Sequence, residues 1–281
     1  MPLLYLLFLV CLVVPIAGGV LAHKRGWAVA GGPEAWAAAA RARFGGRSGA
    51  TVMVLLIGYV VTFLVALGFG KLAKALQPSV DWPVFHWVYS RVNPNGHGAF
   101  TTLNAKLTNY GLGSNDQLIV LAAAIILAFA YRRRWWLPVG ALLIAFFGER
   151  YVQRALKHFV NRGHPPTTHG TYPSGGVGRI FAIYAMVVVL VIVISPRLSR
   201  AWKAGLWTGV VTAGVVEAYT RVYLSKHWFT DAAFGIIFGA LLLLTNATAV
   251  YAATGGEEQT AETPTTEDAA TSTELASRQR S

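Results

Sequence analysis

The sequence predicts an all-α fold, a polytopic transmembrane helical bundle of about seven spans, and three observations predict it. Hydrophobic residues make up 54% of the 281 positions, while charged residues make up 13%, about half the roughly 25% of an ordinary soluble domain. The apolar residues fall in blocks approaching the roughly 20 residues needed to cross a bilayer with every backbone group hydrogen-bonded internally. Lys and Arg gather in short connections between the blocks, as in loops that resist translocation.

The first apolar block, about 3–22, lacks a basic n-region, and Val20-Leu21-Ala22 is a mediocre cleavage signal, so it reads as a retained span and not a signal peptide. The remaining blocks run over about 50–70, 117–131, 135–149, 177–195, 205–224 and 232–252. Lys24, Arg25, Arg41, Arg43 and Arg47 share one connection, Arg132, Arg133 and Arg134 the next but one, and Arg197, Arg200 and Lys203 the next but one again. Alternation then places all three on the cytoplasmic side, with the intervening loops outside.

The long outer connection 71–116 holds Trp82, Phe85, Trp87 and Tyr89. They suit a short interfacial helix or ordinary packing aromatics, with a turn at Asn93-Pro94-Asn95-Gly96. Beyond about 254 the composition turns to Gly, Glu, Thr, Ser and Ala, too polar to order itself, which predicts a disordered cytoplasmic tail. The chain thus divides into 1–49 (first span and basic connection), a membrane domain over 50–252, and the tail 253–281. Its net charge of +12 belongs to loops; no soluble basic domain exists to bind nucleic acid. Cys11 is the only cysteine, which excludes intramolecular disulfides and Cys-based metal clusters.

Two outer segments are more polar than connections require. In Glu149–Gly176, Arg150, Arg154, Lys157 and Asn161 share one helical face. Like charges one turn apart repel, so this stripe suits a bound polyanion, or else a solvated, headgroup-facing surface. Pro165-Pro166 should end that helix. Pro173-Ser174-Gly175-Gly176 then opens an apolar helix, where a hydroxyl and free N–H groups favour an anion, and Arg179 lies just inside the span. In Glu217–Asp231, Glu217 precedes Arg221 by four, the better orientation for a helical ion pair. Asp231, if helical with His227, sits one turn from it and would orient the imidazole and fix its tautomer.

Three motifs follow one another in the chain. They are Lys157-x6-His164-Pro165, then Pro173-Ser174-Gly175-Gly176, then Thr220-Arg221-x5-His227-x3-Asp231. With these in this order, the chain resembles the type-2 phosphatidic acid phosphatase superfamily, which includes the vanadium haloperoxidases. The family pattern is K-x6-R-P, P-S-G-H and S-R-x5-H-x3-D. The resemblance implies a six-helix phosphatase core plus one extra N-terminal span, and a lipid phosphatase or phosphotransferase working through a phosphohistidine without metal or cofactor. It implies His227 as nucleophile, Asp231 as its orienting group, and Lys157, Ser174, Gly175 and Arg221 as phosphate ligands. His164 stands at the family's Arg position, and Arg162 two residues earlier is expected to supply the guanidinium. Gly176 replaces the His that the family uses to protonate the leaving group.

Gly176 admits three readings. A substrate with a good leaving group, such as a polyprenyl diphosphate, needs little protonation. His164 or His169, on the same loop, substitutes as the acid, with Arg179 a further candidate ligand. Or the protein is a non-catalytic lipid-phosphate binder or carrier. The His227–Asp231 pair favours an enzyme, since a binder needs no nucleophile with an orienting group. The implied partner is a membrane lipid. Short loops and no organelle signal suit a bacterial cell membrane, with the site on the extracytoplasmic face.

Overall fold

The computed structural model describes residues 32–92, 98–110, 116–168 and 170–255. The first expected span, the turn at 93–96, His169 and the expected tail beyond 255 lie outside the described residues. Every regular element among them is helical: α1 (Pro33–Arg43), α2 (Arg47–Leu76), α3 (Trp82–Val92), α4 (Ala99–Tyr110), α5 (Asp116–Ala130), α6 (Trp136–Val160), α7 (Gly175–Ile194), α8 (Arg200–Tyr223) and α9 (Phe229–Thr254). A π-helical turn, Gln77–Asp81, carries α2 into α3, and a second, Ile180–Tyr184, interrupts α7. Three helices are long and apolar enough to cross a bilayer: Arg47–Arg91 taken through its π turn, Gly175–Ile194 and Phe229–Thr254. Gln117–Ala130 is a shorter apolar helix. The 25 residues of α6 and the 24 of α8 reach about 36 Å or more at 1.5 Å per residue.

The bundle is held where small residues let backbones approach. The buried positions of α2 beyond its first turn are Thr62, Ala66, Gly70 and Ala73, a stripe at helical spacing that packs on α9. Lipid supplies no hydrophobic drive between helices, so such close approach and interhelical hydrogen bonds do that work. The Thr62 and Thr245 hydroxyls meet at 3.4 Å in the interior, and Tyr59 donates to Asn246 Oδ1 at 3.3 Å. A Cβ at Gly239 of α9 would lie 2.6 Å from Gly178 O and Phe181 Cβ, so only Gly allows α7 to sit this close. Around this seam Leu142, Ala145, Ile183, Met186, Leu190, Phe238 and Leu242 form the main core. Leu56, Val60 and Leu64 on α2 and Leu118, Ile126 and Phe129 on α5 point outward, as a hydrocarbon-facing surface requires.

The contacts fix which ends share a face. Arg47 reaches Gly255 O at one end of the α2–α9 pair, and Asp81 meets Thr230 at the other, so the two run antiparallel. The α2 lysines run alongside the C-terminus of α6: Lys71 donates to Phe159 O and Lys74 to Asn161 O. These bonds satisfy carbonyls left without partners at a helix end. The ends of α2, α6 and α8 and the starts of α7 and α9 therefore gather at one face. Arg41, Arg47, Arg132–Arg134 and the 195–199 connection gather at the opposite one.

One expectation changes, and the α3 aromatics take one of the two roles the sequence left open. Helix α6 stops at Val160, before Pro165-Pro166, because Asn161 takes a left-handed conformation (φ 42°, ψ 59°) with its N–H on Lys157 O. Asn tolerates that region, which terminates helices. Asn161 consequently leaves the basic stripe, and the chain turns Arg162 inward. The aromatics of α3 pack against the polar loops. Trp82 and Phe85 meet the buried Trp228 ring edge-on at centroid distances of 5.0 and 5.8 Å.

Candidate functional site

Helix α9 starts the site. Trp228 is its N-cap residue, so Asp231 lies in the first turn, where the helix dipole favours a carboxylate. His227 precedes the helix and is brought back by the end of α8: Lys226 N–H and His227 N–H both donate to Arg221 O, at 2.8 and 3.3 Å. Ser225 takes a positive φ of 53° in that reversal. The 161–174 loop stitches the reversal down, with Thr167 donating to Ser225 O at 2.6 Å and Thr168 to Lys226 O at 2.8 Å. His227 Nδ1 faces Asp231 Oδ2 at 3.6 Å, in side chains that are 9% and 0% exposed. Nε2 lies beside Gly170, where a Cβ would overlap Lys226 O and come within 3.0 Å of Nε2 itself. Burial pushes the imidazole pKa below its ordinary value; Asp231 opposes this, and the Arg221 and Lys157 charges add to it. His227 is thereby favoured as neutral imidazole, the form with a nucleophilic nitrogen.

Helix α7 supplies the anion-binding geometry. Ser174 is its N-cap residue with extended backbone angles, and Ser174 N–H donates to Asp231 O at 3.1 Å, which ties the Pro-Ser-Gly-Gly turn to α9. The Ser174 side chain is fully buried, and its Oγ has no hydrogen-bond partner among the described residues. Such a hydroxyl at the start of a 20-residue apolar helix, with the first-turn N–H groups beside it, suits an oxyanion. Gln153 of α6 supports the turn by donating to Pro173 O at 3.2 Å.

Cations ring this turn. Arg221 Nε donates to Glu217 Oε1 at 2.7 Å and Nη2 stands 2.7 Å from the same oxygen, the expected helical ion pair, while Nη2 donates to Thr108 O at 3.4 Å. Arg179 Nε stands 3.6 Å from Glu149 Oε2, and Glu149 is fully buried. Its Nη2 lies 2.9 Å from where a Cβ on Gly175 would be. Lys157, exposed at the end of α6, is within electrostatic reach of Arg179, Glu149 and Asp231. The structure therefore brings together His227, Asp231, Ser174, Gly175, Arg221, Lys157 and Arg179.

Arg162 is placed differently from its expected role. Its guanidinium is fully buried, with Nη1 on Thr230 Oγ1 (2.8 Å) and Asp231 Oδ1 (3.0 Å) and Nη2 on Asp81 Oδ2. Asp81 also accepts from Thr230 N–H at 2.9 Å and from the Thr230 hydroxyl at 2.8 Å. Its Nη1 and Nη2 donors are thus committed to Thr230 and to two carboxylates beside His227 and do not open toward the Pro-Ser-Gly-Gly turn as ligands would. His164 is exposed, its Nδ1 2.8 Å from Pro165 O on its own loop, and His169 lies outside the described residues. Sequence reasoning missed Asp81, Glu149 and Gln153. A charged residue inside an apolar helix was the available signal for Glu149; Asp81, in a loop-like stretch 81 positions from Arg162, gave none. Among the described residues no group of three or more His, Cys, Asp or Glu is placed to hold a metal ion.

The family model of the PAP2 superfamily matches residues 138–254, the stretch carrying His227, Asp231 and the Pro-Ser-Gly-Gly turn. This stretch belongs to the PAP2 superfamily. The chain is 29% identical over 139 residues to phosphatidylglycerophosphatase B of Bacillus subtilis (strain 168), covering 47% of this chain and 66% of that protein. It is 28% identical over 162 residues to undecaprenyl-diphosphatase of Sulfolobus acidocaldarius, covering 48% of this chain and 71% of that one. The crystal structure of a transmembrane PAP2-type phosphatidylglycerolphosphate phosphatase from Bacillus subtilis superposes with a TM-score of 0.55 at 22% identity. It covers 66% of this chain and 92% of that chain, a likeness of fold.

Proposed function

We propose that this PAP2-superfamily protein is an integral-membrane lipid phosphatase or phosphotransferase that works through a phosphohistidine on His227. The observation that carries the proposal is the buried Ser174 hydroxyl, unpartnered among the described residues, at the start of α7, whose backbone N–H is tied to Asp231 O beside the His227–Asp231 pair at the start of α9. A phosphoryl group is held by Ser174, the N–H groups of the Gly175-Gly176 turn, Arg221, Arg179 and Lys157, which stabilise charge spread over its oxygens. His227 Nε2 attacks phosphorus while Asp231 compensates the positive charge that develops on the ring. Arg162 is a positioning residue that holds Asp231 with Asp81.

The leaving group departs without a histidine acid, since position 176 is Gly. That favours a leaving phosphate monoester over an alkoxide, so a polyprenyl diphosphate is the preferred substrate class. The opposite face carries Arg41, Arg47 and Arg132–Arg134, which supports an extracytoplasmic site in a cell membrane, at headgroup height, with the C-terminus inside. The two named relatives act on lipid phosphates by their names, in keeping with this assignment.

Purified protein in detergent, supplied with polyprenyl diphosphate, phosphatidylglycerol phosphate or phosphatidic acid, releases phosphate fastest from the diphosphate, and His227→Ala abolishes release. Gly176 also favours a second function, a non-catalytic lipid-phosphate binder. Binding of all three lipids with no turnover of any would establish that function and overturn the enzyme.

A further inference from the structure

The space beside Gly176 is filled by a carboxylate. A Cβ on Gly176 would overlap Glu217 Oε1 and lie 2.9 Å from Arg221 Nη2 and 3.3 Å from Arg221 Nε. A side chain at 176 would have to move the flexible head of Glu217 aside, and the space beside the Pro-Ser-Gly-Gly turn is taken here by that head. Both bonds to Arg221 use Oε1. Oε2 takes no hydrogen bond among the described residues, and the side chain is 5% exposed. Holding Arg221 needs only the one oxygen, which leaves the other able to accept a proton.

We infer that Glu217 is the base of the second chemical step, a role that rests on the phosphohistidine proposal above. In the first step, N–P bond formation at His227 Nε2 expels the lipid monophosphate without protonation. In the second, water attacks the phosphohistidine as Glu217 takes its proton. The new O–P bond forms as the P–N bond breaks, the electron pair returns to Nε2, and the proton passes from Glu217 to the departing phosphate or to solvent. An ionised, Arg-paired carboxylate is suited to accept a proton from water and unsuited to protonate an alkoxide, which matches this division of labour. Gly176 and Glu217 thus form one functional unit assembled from two helices.

The test uses the full chain with polyprenyl diphosphate. Glu217→Gln keeps an oxygen for Arg221 but removes the base. We expect a burst of lipid monophosphate equal to the enzyme present, phosphate retained on the protein, and steady-state turnover lowered by about 10²–10³-fold. The double variant Gly176→His/Glu217→Ala puts a titratable ring into the vacated space and is expected to turn over faster than Glu217→Ala alone. Wild-type turnover with an unimpaired Glu217→Gln, or a Glu217→Gln that loses the burst as well as turnover, would overturn the inference and leave the phosphohistidine proposal standing. A double variant no faster than Glu217→Ala would count against it equally. A wild type without turnover or phosphoenzyme would overturn both.

Discussion

Two Arg–carboxylate networks lie within the same site and differ in one respect, their access to solvent. Arg162 is sealed at 0% side-chain exposure between Asp81 and Asp231. Arg221 is held by Glu217 along one edge and keeps 17% of its side chain open. The sealed guanidinium has its Nη1 and Nη2 atoms on protein oxygens, so it serves the architecture behind His227. On the proposed mechanism the open one turns a free edge to a phosphoryl oxygen. Burial is what separates the two groups, because a fully desolvated charge depends more heavily on its partners than one with solvent access.

The comparison breaks most visibly in stability. Arg162→Met leaves two buried carboxylates unpaired and should lower unfolding free energy by about 3–5 kcal/mol, read by thermal or denaturant unfolding in detergent. A loss under about 1 kcal/mol would show the network is not closed. Arg221→Met should do the reverse. It should cost less stability than Arg162→Met, because it strands one buried carboxylate and not two, but lower kcat/KM by about 10²–10³-fold, the usual effect of removing one oxyanion donor.

A third prediction concerns protonation. On the proposed mechanism neutral His227 is the reactive form, and burial lowers its pKa while Asp231 holds it up. Activity should therefore be full above that pKa and fall as pH drops through it, with the acid limb of kcat/KM centred below about 6.5. Asp231→Asn removes the opposing charge, so it should move the limb lower still while reducing the rate. The smallest effect belongs to the far face. Arg41→Ala removes a 2.8 Å bond to Tyr251 O, which should cost about 1 kcal/mol of stability and leave turnover unchanged.

The bundle was legible because lipid imposes a length and an internal hydrogen-bonding rule on every span; α2, α5, α7, α8 and α9 fall on apolar blocks read directly from the sequence. Helix α6 was under-read at 135–149 because its last three turns are polar, and they are polar because they carry Glu149, Gln153 and Lys157 to the site. His227, Asp231 and the Pro-Ser-Gly-Gly turn were legible because their spacing within one connection is a local property. Asp81 was not, since its meaning comes from a π turn that delivers it to Arg162 across 81 positions. Arg162 misled for a related reason: a nearby guanidinium looked like a spare ligand until the left-handed Asn161 turned it inward. Gly176 stood out as a loss in the sequence, whereas in space its room is taken by Glu217.

The most direct test of the central claim is to trap the intermediate. Wild-type protein mixed with labelled polyprenyl diphosphate and quenched in alkali, where phosphohistidine survives, should carry phosphate on His227 by mass spectrometry, and His227→Ala should carry none. Turnover with no phosphate on His227, and undiminished in His227→Ala, would contradict the account.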